Sequence, residues 1–215
     1  GVRRFLATTA AVISFFITES PTVRGPLEDR QVTVSRVNGS FTYPANFMFA
    51  ASMNPCPCGY FGSKDKECTC TPNSISKYMG KISGPLLDRI DICIEVSPVK
   101  YQKLDSSEKI ETSEEIKKRV NKARKIQLER YKSNKILSNS ELTPKLIEKY
   151  CTLDSKGKLI LENAFNKLKL SARAYGRILK VARTIADLDE SENIEVKHIA
   201  EAIQYRSIDR KYWSN

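Results

Sequence analysis

The 215 residues carry 36 Lys and Arg against 25 Asp and Glu, a formal charge of +11, and 40% are hydrophobic. That apolar share suffices for a core in one or two domains, and the positive balance favours anionic partners. The only histidine, His198, sits in an amphipathic pattern where a structural role is expected. No Ser/His/Asp or Cys/His nucleophile set can therefore be argued, and no carboxylate pair is placed for acid–base work.

In chain order, Arg3-Arg4 precedes an apolar stretch over residues 5–17. It resembles a secretory signal and reads equally as a buried strand or helix. It is too short for a membrane span, which takes about 20 residues. Residues 31–37 alternate around Val32, Val34 and Val37, Asn38-Gly39 follows, and residues 40–43 are again strand-like. Asn-Gly between such runs predicts a hairpin, since both residues tolerate positive φ. Arg36 and Asn38 lie at its tip, as a substrate contact or an ordinary surface turn.

Residues 47–53 form an apolar run that predicts a buried parallel strand. Asn54 ends it, where ligands of open α/β sheets bind. It could sense a phosphate or its attacking water there, or simply make a turn. Cys56 and Cys58 follow, then Cys68 and Cys70. In a cytosolic protein so tight a cluster points to metal, and a closed Cys₄ set to structural zinc. The alternative is four reduced thiols, or disulfides in an exported chain. Residues 75–82 predict a short helix capped by Asn73 or Ser74. Gly84-Pro85 breaks the chain before Leu86-Leu87-Asp88-Arg89. Residues 90–96 predict a last core strand, with Cys93 as a packing residue. Arg89, just before it, can stabilise phosphoryl-transfer charge or pair with Asp88 or Asp91.

Residues 100–112 are polar and read as a linker. Thr112 and Glu115 form a capping box, and the helix it opens runs to about Tyr131. Nine basic residues and one acid, Glu129, lie between Lys117 and Lys135. They read as a solvated face or a salt-sensitive nucleic-acid contact. A loop over 134–140 precedes a helix begun by Thr143-Pro144. Helices over 155–168, 172–188 and 196–205 complete a helical domain.

Several blocks together resemble one family. They are Arg24-Gly25-Pro26-Leu27-Glu28-Asp29, Val34-Ser35-Arg36-Val37-Asn38-Gly39, Asn54-Pro55-Cys56-Pro57-Cys58-Gly59, Ser83-Gly84-Pro85-Leu86-Leu87-Asp88-Arg89-Ile90-Asp91 and the run from Leu170 through Ala186-Asp187-Leu188. The resemblance is to the magnesium-chelatase-like AAA+ ATPases of the ComM/YifB group, over roughly residues 24–210. It implies an α/β fold: the C-terminal half of a P-loop core, with parallel strands and a β-hairpin, followed by an α-helical lid. Residues 1–24 would be a divergent or boundary segment, 25–99 the partial core, 100–112 the linker and 113–215 the lid.

The resemblance also implies roles. Asn54 is similar to sensor 1, Arg89 to the arginine finger and Arg173 to sensor 2, with Arg177 four residues on as a second candidate. It implies ATP and Mg²⁺ as cofactors, a hexameric homo-oligomer, a cytoplasmic location with no membrane, and a motor on DNA that serves branch migration in natural transformation. Resemblance to magnesium chelatase implies metal insertion into a porphyrin instead; the Cys-rich block points to the ComM/YifB side. No G-x-x-x-x-G-K-[ST] occurs in the sequence, and no Asp-Glu pair precedes the Pro26 block. The expectation is a segment of a longer ATPase, inactive by itself. The alternative is a non-catalytic, zinc-containing nucleic-acid-binding or assembly module.

Overall fold

A computed structural model describes residues 10–12, 21–96 and 111–213, with side chains over 25–96 and 111–206. Most of the 5–17 stretch and of the expected 100–112 linker lies outside these residues. The chain divides into two compact units, Gly1–Ile90 and Asp91–Ser214.

In the first unit, β1 (Ala10–Val12) pairs in parallel with β4 (Met48–Ala50). Helix α1 (Pro21–Asp29) leads into a hairpin of β2 (Gln31–Arg36) and β3 (Gly39–Pro44). The hairpin forms as expected, but its turn is one residue early. Arg36 pairs with Gly39, so Val37-Asn38 make the turn and only Gly39 takes a positive φ, 141°. The strands sort their side chains by face. Val32 opposes Tyr43 and Val34 opposes Phe41 on one side. On the other, Thr33 bonds Thr42 at 2.9 Å and Ser35 bonds Ser40 at 2.8 Å through their hydroxyls.

Helix α2 (Pro72–Met79) starts three residues before the expected position. Thr71 is its cap rather than Asn73 or Ser74: its hydroxyl accepts from the Ser74 N–H, and Pro72 takes a first-turn site where no N–H is needed. Gly84-Pro85, expected as a break, opens the short helix α3 (Gly84–Leu87), capped by Ser83. Both corrections share a cause. Proline punctuates a helix by starting it as readily as by ending it.

The second unit is helical. α4 (Ser113–Arg130) opens with the expected capping box between Thr112 and Glu115. Two 3₁₀ turns, Lys132–Asn134 and Asn139–Glu141, bracket the expected loop. α5 (Pro144–Tyr150), α6 (Ser155–Lys167), α7 (Ala172–Leu188) and α8 (Val196–Trp213) follow. α7 is central, packing against α4, α5 and α8. Ala174, Ile178, Ala182 and Ala186 recur every fourth residue on it and are buried, so small side chains admit the neighbouring helices closely. Tyr131, Leu142, Leu161, Leu179, Ile194, Ile199 and Ala202 complete the core.

Residues 90–96 do not form the expected strand. Ile92, Ile94 and Val96 are exposed, and the segment pairs with no strand among the described residues. Apolar alternation needs a ladder partner to become a strand. Here the segment is tied instead by the Cys93 N–H donating to the Tyr205 carbonyl at 3.0 Å. Cys93 is half-buried and outside any strand.

Beneath α7 lies a polar network. Asp187 is fully buried, taking both Nη atoms of Arg130 at 2.5 and 3.0 Å and Arg183 Nε at 3.0 Å. Asn139 donates to Asp187 and to Thr184, and accepts from Tyr131 Oη at 2.6 Å. Arg183 also donates to the Ser191 and Glu192 carbonyls, closing the C-terminal end of α7. His198 is buried at the start of α8. Its Nδ1 accepts from the Glu195 N–H at 3.0 Å, so Nε2 carries the proton and donates to Asp189 at 3.1 Å. Cys151 is buried within the core, and desolvation pushes its thiol up to about 11. No helix among the described residues is long and apolar enough to cross a membrane.

Candidate functional site

The four clustered cysteines come together. Cys56 lies 3.3 Å from Cys58 and 3.7 Å from Cys68, sulfur to sulfur, and Cys58 lies 3.5 Å from Cys68. All four sulfurs, Cys70 included, fall within 4.8 Å of one another, and none is in a disulfide. A tetrahedral ion with metal–sulfur bonds of about 2.3 Å holds its ligands about 3.8 Å apart. The cluster has that size, so these residues fit a closed Cys₄ metal site.

The loop reaches this geometry through local backbone chemistry. Gly59 adopts φ +84° and its N–H closes a turn on the Cys56 carbonyl at 3.0 Å. The Phe61 N–H reaches back to Cys56 Sγ at 3.4 Å. The Tyr60 N–H holds the Cys58 thiol down to about 5, against a partial desolvation that opposes it. Cys68 moves the other way, up to about 12. The Cys70 N–H resists that rise, but desolvation and the Cys58 and Cys56 sulfurs outweigh it. The loop thus favours the charged form on the Cys56/Cys58 side and opposes it on the Cys68/Cys70 side. A divalent cation bound there would take all four as thiolates and displace any remaining protons.

Asn54 is exposed, four residues beyond β4 and directly before the cysteine loop. Its carboxamide lies against Gly59: a Cβ built there would stand 3.8 Å from Asn54 Nδ2. Arg89 is mostly covered, its side chain 13% exposed. Nη1 donates to the Pro85 carbonyl at 2.7 Å, Nη2 is ion-paired with Glu28, and Nε is buried. The partner is therefore neither Asp88 nor Asp91. Sequence reading missed Glu28 because it lies 61 residues away; its place in the Pro26 block was the available signal.

In the helical unit Arg173 is exposed in the first turn of α7, just past its Ser171 cap. Arg177, one turn on, is ion-paired with Asp91. On α4 the basic run is largely spoken for. Lys118 pairs with Glu114, Arg119 with Glu111, Lys122 with Glu190, Arg130 with Asp187, and Lys132 with Glu129. Lys117, Arg124 and Lys125 are exposed at i, i+7 and i+8, on one side of the helix.

Two family models match in succession. "Magnesium chelatase, subunit ChlI" covers residues 14–104, and "Magnesium chelatase, subunit ChlI C-terminal" covers 110–206. The chain is 43% identical over 190 residues to "Competence protein ComM" of Haemophilus influenzae and 40% identical over 190 to the uncharacterised protein YifB of Escherichia coli. A Mycobacterium tuberculosis protein, also uncharacterised, is 30% identical over 184 residues. The first two alignments take in 87% of this chain and the third 86%, but each covers 36% of the relative, so the chain spans about a third of their length. With two models matched in succession over residues 14–104 and 110–206, and relatives aligned over most of its residues, the chain belongs to the magnesium-chelatase-like family that includes ComM and YifB.

Proposed function

We propose that this chain is the sensor- and finger-bearing part of a P-loop AAA+ ATPase that works on DNA as a hexameric ring. The observation that carries the reading is Asn54, an exposed residue four positions past the carboxyl end of a parallel strand, on the side where nucleotide ligands bind in α/β sheets. Asn54 senses the γ-phosphate or its water. Arg173, at the open first turn of α7, is the second sensor, and Arg177 supports it while tied to Asp91. Arg89 is the finger for a neighbouring subunit's nucleotide. Its ion pair with Glu28 holds it until that nucleotide offers a stronger anion. ATP and Mg²⁺ require a phosphate-binding loop, which these 215 residues do not contain. The four cysteines hold a structural zinc, and the cytoplasm is the compartment that keeps such thiols reduced.

A chimera tests this. Residues aligned with the Haemophilus ComM replace their counterparts in that relative, and ATP hydrolysis is measured with and without DNA. The chimera should hydrolyse ATP, and Arg89→Ala in it should lower kcat roughly 10³-fold, the lower range for a finger. Rates unchanged by Arg89→Ala, Arg173→Ala and Asn54→Ala alike would sink the assignment.

The DNA reading makes its own demand. Lys117, Arg124 and Lys125 are the face left to phosphates. Reversing all three to Glu should weaken duplex binding by the chain at least about tenfold and flatten log K against log salt by about three. Binding that keeps its salt slope in the triple variant would remove α4 from the interface.

A further inference from the structure

We infer that the four-cysteine site is a clasp that positions Asn54, so that metal occupancy sets the geometry of the sensor and not only the stability of the loop. The inference rests on the readings of the cysteines as metal ligands and of Asn54 as a phosphate sensor.

Covalent connectivity comes first. Asn54 is two residues from Cys56, and Cys70 is one residue from Thr71, the cap of α2. An ion held by Cys56, Cys58, Cys68 and Cys70 therefore joins the end of the β4 segment to the start of α2. β4 is only three residues long. Cys56 is the buried anchor of the loop, while Pro57, Tyr60 and Phe61 on its outside are exposed. Little apolar packing fixes the strand end.

The second link is Gly59. It follows Cys58 directly, takes φ +84° and lies against the Asn54 carboxamide. The bond from the Gly59 N–H to the Cys56 carbonyl makes this turn one unit with both ligands of the first C-x-C pair. Whatever fixes Cys56 and Cys58 fixes the surface on which Asn54 rests. When the cysteines part, that surface goes and the carboxamide loses its orientation. A carboxamide displaced by an ångström no longer meets its phosphate or water at bonding distance, since misplacement on that scale can cost about 10²-fold in rate. Cys56, Cys58 and Gly59 are accordingly positioning residues, and Asn54 is the group that touches the nucleotide.

The test uses the 215-residue chain, labelled with ¹⁵N, and zinc chloride as the probe. Zinc content is measured alongside the side-chain amide signals of Asn54, assigned by their loss in Asn54→Asp. The clasp predicts one zinc per chain, displacement of the Asn54 signals on chelation, and their return with zinc. It further predicts that Gly59→Asn retains one zinc yet displaces the same signals, while the Ser74 amide, bonded to Thr71, stays in place. Asparagine is used because it tolerates positive φ better than other side chains; Gly59→Ala provides a second variant with a smaller side chain, whose Cβ would meet Asn54 at ordinary contact distance. Should both variants bind zinc with Asn54 signals superimposed on the parent's, the clasp is overturned and the structural zinc stands. A chain that takes up no zinc overturns both.

Discussion

Replacing Asp187 with alanine should destabilise the helical unit by about 3–5 kcal/mol, the range for removing one partner of a buried ion pair. The carboxylate is fully buried and serves three donors: Arg130, Arg183 and Asn139. These donors differ in what they can do once it is gone. Arg130 is 16% exposed and can turn toward water, and Asn139 keeps Thr184. Arg183 is 3% exposed and keeps two carbonyls but no counter-charge. The loss therefore concentrates on Arg183. Desolvation already holds its pKa below the ordinary arginine value, with Asp187 opposing that fall. For a unit of about a hundred residues, thermal unfolding should come at least about 10 °C earlier. Asp187→Asn, which keeps the shape and some hydrogen bonds, should fall between the two. If Asp187→Ala melts within about 1 kcal/mol of the parent, the network adds little and apolar packing carries the unit.

Sequence periodicity and caps placed the starts of the helices in the second unit, while α8 runs eight residues beyond its expected end at Tyr205. The Thr112/Glu115 box, the Thr143-Pro144 start and the 172–188 helix all appear where pattern placed them, because each is decided within one or two turns of chain. The first unit was harder. α1 carries Gly25 and Pro26 in its interior, residues that argue against a helix. Residues 90–96, all but Ile90 in the second unit, also escaped: they alternate like a strand, yet strand formation depends on a neighbour that no local pattern specifies. At the site, the cysteine cluster was legible from spacing, since thiols this close in sequence can meet through one loop. The partners that decide side-chain geometry were not. Glu28 beside Arg89 and Gly59 beneath Asn54 are tertiary placements, and a lone Glu or Gly in sequence announces neither.

With the cysteines holding zinc as proposed, chelation should unmoor residues 54–79 and leave the helical unit untouched. Among the described residues of the first unit only Cys56, Met79, Leu86 and Leu87 are buried. Three apolar side chains contribute about 1.5–3 kcal/mol each. Ordering a backbone costs roughly 1 kcal/mol or more per residue, and the segment from Asn54 to Cys70 contains no helix or strand to share that cost. Burial alone does not hold such a loop. A thiolate-bound zinc contributes an apparent 10–16 kcal/mol in small structural sites, enough to reverse the balance. Hydrogen exchange read by mass spectrometry resolves the outcome by segment. With zinc, amides of the cysteine loop and α2 should be protected; with chelator, they should exchange as in an unfolded chain, while α4, α7 and α8 keep their protection. Cys56→Ser should act like chelator, because Cys56 is the fully buried member of the four-cysteine cluster. Protection over 54–79 that survives both treatments would mean the loop is held by contacts other than the metal. In that case the close approach of four thiols would be a consequence of the fold rather than its cause.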